Sequence, residues 1–269
     1  MQRIAVLQMT SGIDPAANAA TLADAAEKAA GNGAAMLFTP EMTGLLDRDR
    51  KRAALSIASE DKDPTTLQAR ESAARHGIWV CLGSVAVKAE DRWANRSIVI
   101  DDRGDVAARY DKIHMFDVDL DTGESWRESN AYRPGETLVT VDTPIGKLGL
   151  AVCYDIRFPA LFDAFGRAGC DAIAIPAAFT VPTGKAHWHI LQRARAIEAS
   201  AFVIAAAQTG SHEDSRETFG HSLVVDPWGE VLLDLGEKRE LGFADIDPAR
   251  ISAVRKQIPS LANRRAFTT

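Results

Sequence analysis

The sequence predicts an α/β fold in which two sheets pack face to face and helices cover both outer faces. Short β-branched runs alternate with alanine-rich helical stretches from end to end, the pattern of layered mixed structure. The second half repeats the order of the first, so each half is expected to supply one sheet and its own helices.

In the first half, "RIAVLQM" reads as a strand, residues 14–33 as a helix, "AAMLFTP" as a strand and residues 63–77 as a helix. The strand "IWVCLGSVAV" and the hairpin "RSIVIDDRGDVAARYDK" follow. Asp14-Pro15 and Asp63-Pro64 each pair an N-cap acid with a proline at the first helical position. Gly33, Gly77 and Gly169 fall where helices should stop. In the second half, strand "KLGLAVCYD" leads to helix "FPALFDAFGRAG", strand "DAIAIPAAF", helix "GKAHWHILQRARAIEAS", strand "AFVIAAAQ" and hairpin "GHSLVVDPWGEVLLDLG". The glycines of "DDRGD" and "DPWGE" suit hairpin turns. Residues 114–135 show no sustained period and are read as a long ordered loop, a length usually kept for function. No linker or low-complexity tract divides residues 1–269, which are read as one domain.

Composition narrows the function. With 46% hydrophobic residues the chain has material for a large core. A formal charge of −6 and the lack of a basic cluster argue against a nucleic-acid partner. The longest apolar runs, such as "DAIAIPAAF", fall far short of the roughly 20 residues of a membrane helix. The N-terminus enters a strand at once and has no secretory pattern. Cys81, Cys153 and Cys170 form no Cys-x-x-Cys pair and are odd in number, so free thiols in the cytoplasm are expected.

Open α/β sheets carry their reactive groups at the carboxyl ends of strands. Glu41 after "AAMLFTP", Lys112 after "ARYD" and Cys153 after "LGLAV" fall there. A cysteine at a strand-to-helix turn lies near the positive end of the helix, and a neighbouring lysine further favours the nucleophilic thiolate. A glutamate such as Glu41 can take the thiol proton, return it to a leaving amine and later activate water. The Lys112 ammonium and the Tyr154 backbone N–H are candidate donors to the oxyanion formed when a carbonyl is attacked. Each residue alone has a plainer reading. Free cysteine is commonly a buried small hydrophobe, which suits Cys81 and Cys170, while Glu41 can cap a loop and Lys112 can be solvated. The conjunction favours catalysis.

Other candidates are less defined. His187 and His189 in "HWH" are two apart on a predicted helix and do not share a face, and no acid or cysteine lies at ligand spacing. Neither a metal nor an organic cofactor is expected. Arg157, just past Cys153, is a candidate to bind a substrate carboxylate, or to pair with Asp155 or Glu198. Arg195 and Glu198, three apart, are expected to pair along their helix. Phe116 and Phe179 are candidate pocket walls, with core packing the plainer fate.

"FTPEMTG", "YDKIHMFDVD" and "GLAVCYDIRFP" resemble the three signature stretches of the nitrilase superfamily of carbon–nitrogen hydrolases, and the likeness continues through "TGKAHWHILQRARAIE", "AAAQTGSH" and "GHSLVVDPWGEV". The segments are most similar to the Nit branch, which contains ω-amidase and deaminated glutathione amidase, and "AAAQTGSH" is closer to the latter. The resemblance implies a four-layer α-β-β-α sandwich that forms homodimers or larger homo-oligomers. It implies Glu41 as base, Lys112 as oxyanion stabiliser and Cys153 as nucleophile. A second glutamate after the lysine maps to Glu128, which the sequence alone does not separate from Glu124 or Glu136. The implied activity is hydrolysis of a small linear amide, the terminal amide of a 2-oxo acid or deaminated glutathione, to a carboxylate and ammonia through a cysteine thioester. A nitrilase, an N-carbamoyl amide hydrolase and a non-catalytic ligand-binding protein on the same fold are the alternatives. The chain departs from the Nit pattern at His189, where relatives commonly have an acid, and in its ending "RRAFTT".

Overall fold

The computed structural model describes residues 1–269 apart from Thr122, Glu124, Phe267 and Thr269. Glu124, one alternative to Glu128, and part of the ending "RRAFTT" therefore lie outside the described residues. The first half contains β1 (Gln2–Gln8), α1 (Pro15–Gly31), β2 (Met36–Phe38), α2 (Arg50–Ser56), α3 (Pro64–His76), β3 (Trp79–Ala89), β4 (Arg92–Ile100) and β5 (Val106–Asp111). A ribbon of β6 (Asp117–Asp119) and β7 (Ser125–Arg127) leads to the second half. There β8 (Val139–Thr143), β9 (Gly146–Leu150), α4 (Pro159–Arg167), β10 (Ala172–Ala174), α5 (Val181–Ala199) and β11 (Phe202–Ala205) follow in turn. The chain ends with β12 (Thr209–Ser211), β13 (Glu217–Phe219), β14 (Leu223–Val225), β15 (Val231–Asp234), β16 (Glu240–Ile246) and α6 (Pro248–Gln257).

Two six-stranded sheets result, ordered β16-β1-β2-β3-β4-β5 and β15-β14-β11-β10-β9-β8. Strand alternation explains why they stack. In β1, Ile4 and Val6 join the central layer between the sheets, whereas Ala5 and Leu7 pack with Ala25, Ala26 and Ala29 of α1. On β2 and β3, Met36, Phe38 and Cys81 also face the central layer, and Val80 and Leu82 face Ala69 and Ala73 of α3. Strands β10 and β11 are buried along their whole length, as parallel strands covered on both faces must be. Phe162 and Phe165 of α4 with Ala196 and Ala199 of α5 cover the second sheet. The α-β-β-α order is the one expected.

Local signals held where caps were readable. Asp14 accepts from the Ala16 N–H and Asp63 from the Thr66 N–H, and Gly77 closes α3 with φ 61°. Other boundaries differ. The strand expected through Asp155 ends at Leu150, and Cys153 opens a 3₁₀ turn, Cys153–Arg157. The "DAIAIPAAF" strand shrinks to Ala172–Ala174, and α5 begins at Val181 rather than Gly184, with Pro182 in its first turn. The expected loop 114–135 holds the β6–β7 ribbon and a 3₁₀ turn, Glu128–Asn130. The sequence reading also omitted β8 and β16. Strand β16 pairs antiparallel with β1 from Gln2↔Ile246 to Gln8↔Glu240, so the C-terminal part completes the first sheet and the two halves are interleaved.

One glycine fixes how closely the loop after β2 approaches β3. A Cβ at Gly83 would lie 2.0 Å from the Thr39 carbonyl oxygen and 2.5 Å from that of Pro40, whereas Gly31 at the end of α1 meets open space. Gly83→Ala is expected to lower stability by about 1–3 kcal/mol through overpacking, and Gly31→Ala to leave it unchanged or raise it by roughly 0.5–1 kcal/mol. Thermal denaturation of the two variants distinguishes these outcomes, and equal melting temperatures would contradict the close approach.

Candidate active site

Three strand ends deliver Glu41, Lys112 and Cys153 to one point. The loop carrying Glu41 is laced to β3 by Ser84, whose N–H reaches the Pro40 oxygen at 3.2 Å and whose Oγ accepts from the Met42 N–H at 3.0 Å. Lys112 follows β5, its N–H donating to the Asn95 oxygen at 2.9 Å. Cys153 follows β9, its N–H donating to the Pro176 oxygen at 2.8 Å, with φ of 50°. A left-handed backbone at a non-glycine residue is strained and persists only where its surroundings impose it. Met42, next to Glu41, is held likewise at φ 55°.

The side chains meet out of water: Lys112 is 2%, Glu41 5% and Cys153 7% exposed. Lys112 Nζ donates to Glu41 Oε1 at 3.0 Å and to Glu128 Oε2 at 2.8 Å. Glu41 Oε1 also accepts from Asn95 Nδ2 at 2.9 Å, and its Oε2 from the Ala178 N–H at 2.9 Å. Glu128 Oε1 accepts from Asn95 Nδ2 at 3.1 Å and its Oε2 from the Phe116 N–H at 2.7 Å. Asn95 thus bridges both carboxylates. It was missed in the sequence, where its one signal is a polar residue at a fully buried position of β4.

Charge follows from this packing. Burial pushes the Glu41 carboxyl up, but the Lys112 ammonium and the hydrogen bonds from Cys153, Lys112 and Asn95 outweigh it and hold it below its ordinary value. Burial also disfavours the Lys112 ammonium, and the Glu128 and Glu41 carboxylates reverse that and raise it well above ordinary lysine. For Cys153, burial and then the Glu41 charge push the thiol well above its ordinary value against the pull of Lys112. This corrects the expectation of a helix-stabilised thiolate. Cys153 opens a short 3₁₀ turn and α4 begins only at Pro159, while the Glu41 charge acts against a thiolate.

Asp155 anchors the cysteine turn. Fully buried, it accepts from the Tyr110 hydroxyl at 2.6 Å, the His114 N–H at 3.0 Å and the Val152 N–H at 2.8 Å, tying Cys153 to the end of β5. It does not pair with Arg157, and neither does Glu198, which binds Arg195 at 2.7 Å as expected. Arg157 instead lines the cavity above Cys153, its guanidinium 5.4 Å from the Phe179 ring centroid and 5.9 Å from that of Tyr154. Phe116 and Phe179 line the same cavity, and Phe179 also packs on Trp188. The cavity further contains Trp93, Trp126, Tyr132, Arg48, Arg50 and Arg216, none of which the sequence singled out. Glu136 lines a separate surface depression and takes no part. His187 and His189 diverge as expected, to Arg157 at 3.3 Å and to Asp234 at 3.0 Å.

A buried carboxylate, ammonium and thiol lie beneath a cavity on the strand ends of a double α/β sandwich, an arrangement with the groups that acyl transfer needs. The chain belongs to the carbon–nitrogen hydrolase family, whose profile matches residues 3–256, and it is an amidase of that family. It is 39% identical over 97% of its length to deaminated glutathione amidase of Yersinia enterocolitica, covering 92% of that protein. The crystal structure of the Caenorhabditis elegans NitFhit protein superposes with a TM-score of 0.91 at 37% identity, over 98% of this chain and 65% of that one. Saccharomyces cerevisiae Nit3, a member of branch 10 of the nitrilase superfamily, superposes with a TM-score of 0.86 at 29% identity, over 96% of this chain and 94% of that one.

Asn95→Asp would set a third carboxylate between Glu41 and Glu128 in place of their shared donor. A buried acceptor without its donor costs about 1–3 kcal/mol, so the expected outcome is a lower melting temperature and amidase activity reduced at least about tenfold. Unchanged activity and melting temperature would remove Asn95 from the site.

Proposed function

We propose that Cys153, Glu41, Lys112 and Glu128 hydrolyse a small carboxylate-bearing linear amide through a thioester. The observation that carries the reading is the buried Glu41 carboxylate, held by Lys112, Asn95 and the Ala178 N–H in the same cavity lining as Cys153. In the resting site the proton is on sulfur and Glu41 is ionised. As Cys153 Sγ bonds to the amide carbon, Glu41 takes the thiol proton, and the Lys112 ammonium and the Tyr154 N–H donate to the oxyanion. Glu41 returns that proton to the departing nitrogen as the C–N bond breaks, releasing ammonia or an amine. Glu41 then deprotonates water, the hydroxide attacks the thioester, and the C–S bond breaks with the proton returned to sulfur. Glu128 touches Lys112 and Asn95 and acts as a positioning residue.

The substrate reading rests on charge and on relatives. The guanidinium groups of Arg48, Arg50 and Arg157, all residues of the cavity lining, form no ion pair with a carboxylate among the described residues, which suits an acidic amide. The relatives are named for deaminated glutathione, and that compound, with α-ketoglutaramate as the second choice, is the proposed substrate. Phe116 and Phe179 wall its apolar portion. Residues 1–269 are proposed to act as one hydrolase unit in a cytoplasmic homodimer. The three free, buried thiols suit a reducing compartment, and exposed Ile190, Ile197, Trp228 and Leu232 offer a face for a second copy. No helix among the described residues is long and apolar enough to cross a membrane.

Release of ammonia or amine from a panel of deaminated glutathione, α-ketoglutaramate, N-carbamoyl amino acids and simple nitriles tests the proposal. Turnover of an oxo-acid amide, abolished in Cys153→Ala and Glu41→Gln, is expected; silence on all oxo-acid amides would overturn the substrate. Iodoacetamide at neutral pH is expected to label Cys153 first. Cys153 lines the cavity, whereas Cys81 and Cys170 do not. Equal labelling of the three thiols would count against an activated Cys153. Arg157→Ala is expected to raise KM for the acidic amide about tenfold or more with a smaller change for a neutral amide, as loss of a charge-assisted contact predicts. Parallel changes for both substrates would assign Arg157 to the cavity wall alone.

A further inference from the structure

Away from the cavity, His189 on α5, His221 before β14 and Asp234 at the end of β15 converge. Asp234 Oδ2 lies 3.0 Å from His189 Nε2, and its Oδ1 lies 2.9 Å from His221 Nδ1. One donor atom from each of the three lies within 4.8 Å of the others. Ligand atoms about 2.0–2.2 Å from a tetrahedral zinc ion sit roughly 3.3–3.6 Å apart, so whichever carboxylate oxygen binds, one edge of the triangle is close to that spacing already. We propose that His189, His221 and Asp234 form a three-ligand site for a divalent first-row transition ion, with zinc as the reference ion, that clasps α5 onto β15.

The residue types suit this ion. Two imidazoles and one carboxylate are a borderline donor set that favours zinc and its neighbours over magnesium or calcium. On binding, each imidazole presents a lone pair to the ion and keeps its proton on the other ring nitrogen, while the carboxylate contributes its negative charge.

The ligands are also pre-positioned. His221 occupies the left-handed region at φ 55°, its N–H donating to the Gly236 oxygen at 2.6 Å and its own oxygen accepting from Trp188 Nε1 at 2.7 Å. Its ring stacks on Phe219 at 4.5 Å. Asp234 Oδ1 accepts from the Gly236 N–H at 2.9 Å. His189 follows the fully buried Trp188 on α5, the helix whose first turn supplies Thr183 to the cavity. Its side chain is 38% exposed, which leaves a coordination position for water. Sequence spacing could not find this set, because its members sit on three separate elements and the nearest histidine, His187, turns the other way.

Isothermal titration of the Cys153→Ala chain with zinc chloride at pH 7.5 tests the proposal with the most accessible thiol removed. The expected result is one ion bound per chain, with affinity weakened at least about tenfold by His189→Ala and by Asp234→Asn and unchanged by His187→Ala. Cobalt(II) should give visible bands of an N/O site without the thiolate charge-transfer band. No saturable binding, or binding equal in the parent chain and His189→Ala, overturns it. Should Asp234→Asn fail to fold, the partly exposed His189→Ala variant still decides.

Discussion

The structure depends on one buried cation between two carboxylates. An ammonium as enclosed as that of Lys112 is sustainable only with opposite charge in contact, since removing one partner from such a pair typically costs about 3–5 kcal/mol. Glu41 and Glu128 supply that charge from opposite sides, and the residues that hold each of them are set by the same need. Gly83 lets the Glu41 loop close onto β3, Asn95 donates to both acids, and the Phe116 N–H satisfies the remaining oxygen of Glu128. Glu128, just after β7, returns a carboxylate to Lys112 from within the stretch whose length in the sequence already suggested a function.

This cluster sets how the thiol must work. Lys112 still favours the thiolate, but burial and the Glu41 charge outweigh it and push the Cys153 thiol well above its ordinary value. In the proposed mechanism deprotonation is therefore coupled to attack, through the Glu41 carboxylate that also holds the ammonium. When the proton moves to Glu41, that acid becomes neutral and Lys112 loses half of its counter-charge, at the moment negative charge develops on the substrate oxygen. The ammonium is thus released to the oxyanion as it forms, without any movement of the backbone.

Legibility in the sequence followed locality. Helix starts at Asp14-Pro15 and Asp63-Pro64 were readable because the cap is made by residues two or three apart; Asp247-Pro248 carries the same signal and does open α6. Glu41, Lys112 and Cys153 were readable because strand ends converge in any open α/β sheet. Asn95, Asp155 and the cavity arginines were not, since their roles come from partners brought near only by sheet packing. Asp155 is the clearest case: beside Arg157 in sequence it suggests an ion pair, yet the 3₁₀ turn points it inward to Tyr110 and His114. Strand β16 was obscured for a related reason, because its partner is β1, at the other end of the chain.

The same logic explains why Arg157, which meets His187 at 3.3 Å, has no acidic partner among the described residues. Its natural local partner is committed to holding the cysteine turn, and Glu198 is committed to Arg195, whose Nε also binds the Ile156 oxygen at 2.8 Å within that turn. Both acids near Arg157 in the fold are thus spent on fixing the backbone that carries Cys153. A guanidinium flanked by the aromatic rings of Tyr154 and Phe179, in a cavity that also holds Arg48 and Arg50, retains its capacity for a carboxylate that the chain does not provide. Holding the nucleophile's turn rigid and leaving a cation for the substrate are two results of one allocation of acidic side chains.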